Sequence, residues 1–365
     1  MRACIVGGGL AGSLLAWRLA REASGWDVHL VVGPATHADA TAASGGAVRG
    51  YERHPEQRRL ATASMAELLA SPTLREWAGY QEAGSLYLRD TAAGLDAEIA
   101  DVDAALPGSV RLIGAAELAT LGWAGVPDAA VGVAERSAGY TSPERLRRAV
   151  LADGAVQRRV TVTEASVGAI EPARDGTIAC TVGGSPATYD VVVVAAGPWT
   201  PALLRGSGLP AAGYRTKSIQ YSVYRTGDWR PPPFVDEVSG LYGRPAADAG
   251  LLLGLPSEQW EVDPDRPPVA PELHDEAVRR AGDRFPMLRI GPLVRRVGAV
   301  DCYAGEPVLA LRPVGGADHR LLTFSGGAGG SVKTALAASH RAATQLVESG
   351  QPAELTSVGL GEGQR

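Results

Sequence analysis

At 365 residues and 45% hydrophobic composition, the chain can bury one large core or two moderate ones, and nothing in its composition marks disorder. A net charge of -5 with dispersed basic residues speaks against a nucleic-acid face or a polybasic membrane patch, and no apolar run reaches the ~20 residues of a membrane span. Cys4, Cys180 and Cys302 lie far apart without metal-ligand spacing, so no metal is expected, and an odd count does not suggest a disulfide framework. The setting predicted is reducing and cytoplasmic, with a small uncharged or zwitterionic substrate.

The chain begins with an apolar strand, Cys4 to Val6, that runs into Gly7-Gly8-Gly9-Leu10-Ala11-Gly12-Ser13 and a helical pattern through Arg21. This is G-x-G-x-x-G between strand and helix, followed by a second strand, Val28 to Val32. Gly7 suits the tight turn, Gly9 a close approach of backbone to a pyrophosphate, and Gly12 close packing of helix on strand. A dinucleotide on the helix end is therefore predicted, with no signal peptide before it. After a small-residue loop from Gly33 to Gly50, a helix is expected from Pro55 to about Leu69, then short apolar runs broken by Gly and Pro. Ser142-Pro143-Glu144 reads as a helix start.

Two β-like runs lie between Val160 and Thr181. Val191 to Val194 are four valines in a row, as in a parallel strand buried on both faces, and end in Ala195-Ala196-Gly197-Pro198-Trp199-Thr200. Alternating patterns from Tyr214 to about Arg296 predict a second, antiparallel sheet. Ser325 to Ser331 is glycine-rich and leads through Val332 and Lys333 into an Ala-rich helix.

Three separated segments, VGGGLAGS, YDVVVVAAGPWT and FSGGAGGSVK, resemble the D-amino-acid oxidase-like FAD oxidoreductases, particularly the sarcosine and glycine oxidase branch. The resemblance implies an α/β fold: a Rossmann-like FAD-binding domain (residues 1–78, 134–212 and 298–355) interleaved with an α+β substrate domain on an antiparallel sheet (79–133 and 213–297), then a tail, 356–365. It implies FAD contacts at Gly7, Gly9, Leu10, Ala11 and Gly12, at Ser44, Gly45 and Arg49, at Val162, and at Ala196, Gly197 and Trp199. Further contacts are implied at Cys302 and at Gly327, Gly329, Gly330, Ser331, Val332 and Lys333. It also implies oxidation of a C-N bond in a small amine or amino acid, with hydride passing to flavin N5 and an imine as product. Oxygen is the expected acceptor. A dehydrogenase with another acceptor, or an accessory flavoprotein acting on a partner protein, is the alternative. A monomer or weak homodimer is expected.

Lys333 falls where the family places the basic residue that grips a substrate carboxylate, and Arg49 where it places an arginine beside the ring. The next family arginine falls on Glu52, with Arg53 one place later. Glu52 prefers an amine to an anion, so a carboxylate is in doubt, and Arg53 serves only by a bulge. Tyr51, Tyr221 and Tyr242 are candidate substrate contacts, with Trp260 and Tyr303 as further pocket aromatics.

Three departures stand out. The second strand ends in Val32-Gly33 where an acidic residue normally binds the adenosine ribose, which leaves Asp39, His37 or backbone as substitutes and predicts weaker FAD retention. The family lysine that assists oxygen falls on Leu252. Lys217, which with Lys333 makes up all the lysine among 35 basic residues, could enter the site from another strand or lie on the surface. Covalent FAD attachment through Cys302 is open, although the family spacing is C-x-Y and here it is Cys302-Tyr303; the alternative is a buried, inert thiol.

Overall fold

The computed structural model describes residues 1–34, 39–211, 213–315 and 320–350. Its first sheet has the order Arg312–Pro313, Leu321–Thr323, Val191–Val194, Arg2–Val6, Asp27–Val32, Val160–Glu164, parallel except for the first short strand. Val191 to Val194 are all buried because Arg2–Val6 lies on one side, Leu321–Thr323 on the other, and both sheet faces are covered. Helices Leu10–Glu22 and Ala335–Gly350 pack together on one face. The three-stranded meander Val167–Pro172, Ile178–Val182 and Ser185–Tyr189 joins the core on the other. Ser142 caps the helix Pro143–Ala152, its hydroxyl accepting from the Arg145 N–H at 3.3 Å, and Pro143 sits where a missing N–H costs nothing.

The second major sheet has eight strands, in the order Ile290–Ala304, Tyr214–Thr226, Gly250–Gly254, Tyr242–Ala246, Phe234–Asp236, Ser85–Arg89, Val131–Glu135, Val110–Ile113. Pairing is antiparallel except between Phe234–Asp236 and Ser85–Arg89. Strand Val131–Glu135 crosses the expected 133/134 boundary and Ile290–Ala304 crosses the one at 297/298. The long strand is set by pairing with Tyr214–Thr226, where Lys217 faces Asp301. Residues 356–365 lie outside the described residues.

The core under this sheet uses two of the chain's three phenylalanines. Phe234 and Phe285 meet edge to face at 5.1 Å, and Trp123 contacts both, at 5.6 and 4.8 Å. Such contacts add about 0.5–1.5 kcal/mol each beyond the area they bury. Arg284 and Asp236 form an ion pair of 2.8 Å beside this cluster, with the Asp236 side chain fully buried. Among the described residues no helix is long and apolar enough to cross a membrane, and no cluster of metal-ligating side chains occurs.

Candidate active site

The carboxyl ends of the parallel strands face the eight-stranded sheet across a cavity of about 1310 Å³. This exceeds the ~300–1,000 Å³ usual for one small ligand, as a space for a dinucleotide plus a substrate must. It lies where α/β sheets bind their ligands, beyond the carboxyl ends of the strands.

At the nucleotide end, Gly7 has φ +120°, and a Cβ there would stand 2.4 Å from the Ala195 carbonyl oxygen. A Cβ on Gly12 would stand 2.0 Å from the Gly7 carbonyl oxygen, so both glycines are demanded by contact between turn, helix and central strand. Gly9 has room, and caps the helix Leu10–Glu22 without a side-chain hydrogen bond. The Leu10 N–H donates to the Thr41 hydroxyl at 2.9 Å, and no acidic residue occupies the first turn, so no side-chain charge offsets the positive end that lines the cavity. These features fit the pyrophosphate of FAD. Val32 and Gly33 line the cavity, and the place of a Gly33 side chain is open space, so no carboxylate is offered there. Asp39 does line it, but its carboxylate is held by Arg147 at 2.5 Å and by the Ala42 N–H at 2.8 Å. His37 lies outside the described residues.

Most predicted cofactor positions reach the cavity: Gly7, Gly9, Leu10, Ala11, Ser44, Gly45, Arg49, Ala196, Gly197, Trp199, Cys302 and the run Gly329 to Lys333. Gly12 and Gly327 instead serve the backbone packing behind it. Val162 is a correction: it sits in the edge strand Val160–Glu164, 46% exposed and away from the cavity, which Glu164 to Val167 line instead. The glycine-rich turn does not run straight into its helix. A 3₁₀ turn, Ser331–Lys333, intervenes, and the helix starts at Ala335. Tyr303 supports the turn, with its hydroxyl against Gly329.

The substrate end is organised by charge. Glu52 Oε1 lies 2.7 Å from Arg49 Nη2 and 2.7 Å from Lys333 Nζ, and all three side chains are buried. Burial alone would raise the Glu52 carboxyl, but the two cations outweigh it and hold it below its ordinary range. Burial and the Arg49 charge pull Lys333 down against the opposing pull of Glu52. Behind them the buried Glu135 accepts the N–H groups of Gly50 and Tyr51 at 2.8 and 2.9 Å and fixes the loop, its carboxyl pushed up chiefly by burial. Arg49 lies over the Tyr87 ring, 4.9 Å from its centroid.

Two other expectations are corrected here. Tyr51 is fully buried off the cavity, its hydroxyl donating to Glu98 at 2.6 Å and accepting from Arg89, so it is a core residue. Arg53 points to solvent and meets Glu237 at 3.4 Å, away from the lining, because Glu52 takes the inward position. Tyr221 and Tyr242 do line the cavity, with Leu252 packed between their strands and against Gly45. Lys217 also reaches it: its ammonium stands 4.5 Å from the Trp260 ring centroid and 3.7 Å from a Glu258 oxygen. Burial pushes the Cys302 thiol up to about 12, which disfavours the thiolate.

Asp301, Arg244 and Glu135 had no motif to mark them. Asp301 lines the cavity opposite Lys217, its carboxyl raised by burial to about 6. Arg244 comes from the strand Tyr242–Ala246, in register with Leu252.

The structure is similar along nearly its whole length to L-proline dehydrogenase from P. horikoshii, with TM-score 0.77, 15% identity, and coverage of 95% of this chain and 93% of that one. Glycine oxidase from Geobacillus kaustophilus gives 0.75, 19%, 96% and 96%. Iminodiacetate oxidase (IdaA) from Chelativorans sp. BNC1 gives 0.73, 20%, 97% and 97%. A search of the curated proteins found no match. The family model described as FAD dependent oxidoreductase matches residues 2–345, and with the glycine turn and cavity already in place the chain belongs to that family, whose members bind FAD.

Proposed function

We propose that the protein oxidises a C-N bond in a small amine or amino acid, releasing an imine, with oxygen as the final electron acceptor. The observation that carries this reading is one cavity shared by the positive end of the helix Leu10–Glu22 and by Tyr221, Tyr242, Arg49, Glu52 and Lys333. FAD, when bound, supplies the hydride acceptor. The helix end at Leu10 and Ala11 would hold its pyrophosphate, with the Leu10 N–H shared with the Thr41 hydroxyl, and the turn from Gly329 to Lys333 offers backbone N–H groups to developing negative charge. Tyr221, Tyr242 and Leu252 give the substrate end an apolar wall that excludes water. Glu52, pinned between two cations, holds no proton to donate at neutral pH and acts as a fixed charge. Three structural neighbours are named for the oxidation of proline, glycine and iminodiacetate, all small amino acids.

Leu252 favours a second reading of the acceptor. It is 2% exposed and uncharged at the position where the family lysine falls, and Lys217 is engaged with Trp260 and Glu258, which leaves Arg244, on the Gly45 carbonyl, as the cation nearest that position. A dehydrogenase passing electrons to another acceptor would need no such cation. Anaerobic titration of the purified protein with amines and amino acids tests the main reading: loss of the oxidised flavin band supports it, and a band unchanged by every candidate defeats it, leaving action on a partner protein. Peroxide formed per substrate consumed then decides the acceptor, since a negligible yield with rapid dye reduction selects the dehydrogenase.

A further inference from the structure

Among the described residues six cationic side chains line the cavity: Arg49, Arg147, Arg148, Lys217, Arg244 and Lys333. Five of them have a carboxylate within 4 Å. Arg49 and Lys333 share Glu52, Arg147 meets Asp39 and Glu144, Arg148 meets Glu144 at 2.8 Å, and Lys217 meets Glu258. Arg244 makes no ion pair among the described residues. Its Nε donates to the Gly45 carbonyl and its Nη1 to the Pro245 carbonyl at 2.6 Å, while Nη2 has no hydrogen-bond partner among the described residues. The guanidinium lies over the Tyr140 ring, 4.6 Å from its centroid, and near Tyr221, whose hydroxyl is pushed up by burial against the opposing pull of Arg295 and Arg244.

Neutral carbonyls orient a guanidinium without cancelling its charge, and a partly buried arginine stays protonated. Held in that way beside Tyr221 and Tyr242, it is a preorganised site for an anion, and a carboxylate matches its planar donors. We infer that Arg244 binds the carboxylate of the substrate, in place of Lys333, which already has a carboxylate at 2.7 Å in the Glu52 it shares with Arg49. The substrate class is then an amino acid, not a simple amine. This rests on the function proposed above and adds the group that recognises it.

The experiment titrates the flavin-loaded protein with benzoate and, separately, with benzamide, following the perturbation of the visible flavin spectrum, which requires no turnover. In the unaltered protein benzoate is expected to bind at least tenfold more tightly than the neutral amide. Arg244→Met should weaken benzoate about 10- to 100-fold, the range for loss of a charged hydrogen bond, and leave benzamide unchanged. Arg244→Lys, which keeps the charge, should fall between the two. Equal binding of the two probes by the unaltered protein overturns the inference, and so does unaltered benzoate affinity in Arg244→Met. If Arg244→Met does not fold, Arg244→Lys and the comparison of probes decide it: undiminished benzoate affinity in Arg244→Lys would show that the fork geometry is not used. Failure of every amine and amino acid to bleach the flavin would defeat the proposed function alone, because probe binding is read independently.

Discussion

The two ends of the cavity are built on different principles. At the nucleotide end the close contacts are backbone to backbone, Gly7 against Ala195 and Gly12 against Gly7, beside a helix terminus with no acidic residue in its first turn. At the substrate end side chains pair their charges, with Glu52 shared by Arg49 and Lys333, and the Arg244 guanidinium has no carboxylate partner among the described residues. The first arrangement accepts one kind of ligand part, a phosphate. The second can be retuned by exchanging a single charged side chain, and relatives of similar fold are indeed named for different substrates.

Substitution tests of this contrast rank by expected effect. Gly12→Val places carbon within 2.0 Å of a carbonyl oxygen that cannot move, and the purified protein should carry no flavin absorbance; stoichiometric FAD in this variant would break the backbone account of that end. Glu52→Gln leaves Arg49 and Lys333 buried without a counter-charge, and urea unfolding should show a loss of about 3–5 kcal/mol. Because the folded carboxyl lies below its ordinary range, the Glu52 contribution is present above about pH 4.3 and fades as pH falls through the folded value. Asp301→Asn has the opposite sign. The folded carboxyl is raised to about 6, so the aspartate penalises folding progressively as pH climbs from about 4 to 6. The asparagine variant should therefore be more stable at pH 7, by up to about 3 kcal/mol, with the gap closing near pH 4 in thermal unfolding. Arg53→Ala should change neither benzoate affinity nor thermal stability, since that side chain lies in water; weakened benzoate binding would restore Arg53 to the site.

The same contrast explains what could be read from the chain itself. Gly7, Gly12, the four valines and the Ala195-Ala196-Gly197 ending are local patterns with one steric meaning, so a dinucleotide-binding fold followed from them, and FAD followed from the family resemblance. Glu52 was visible as a departure from the family, but its outcome depended on Lys333, far along the chain, arriving at 2.7 Å. Arg244 is one arginine among 33 that differ only in what surrounds them, and no spacing marks it as the described cavity-lining cation without an ion pair. Tyr51 misled because a tyrosine beside Glu52 alternates inward into the core, where Glu98 and Arg89 were waiting.

The register of the first sheet has a bearing on how the protein is made. Ala3 lies between Val28 and Val191, and the Gly7 turn is closed by Ala195, so the pyrophosphate cradle spans nearly two hundred residues of chain. At ~5–20 residues per second of synthesis, the amino-terminal strand waits roughly 10–40 seconds for its second neighbour. During that interval the glycine turn has no wall against which to close. Cofactor loading is thereby a late event of biogenesis, and fragments ending before Val191 should acquire no flavin.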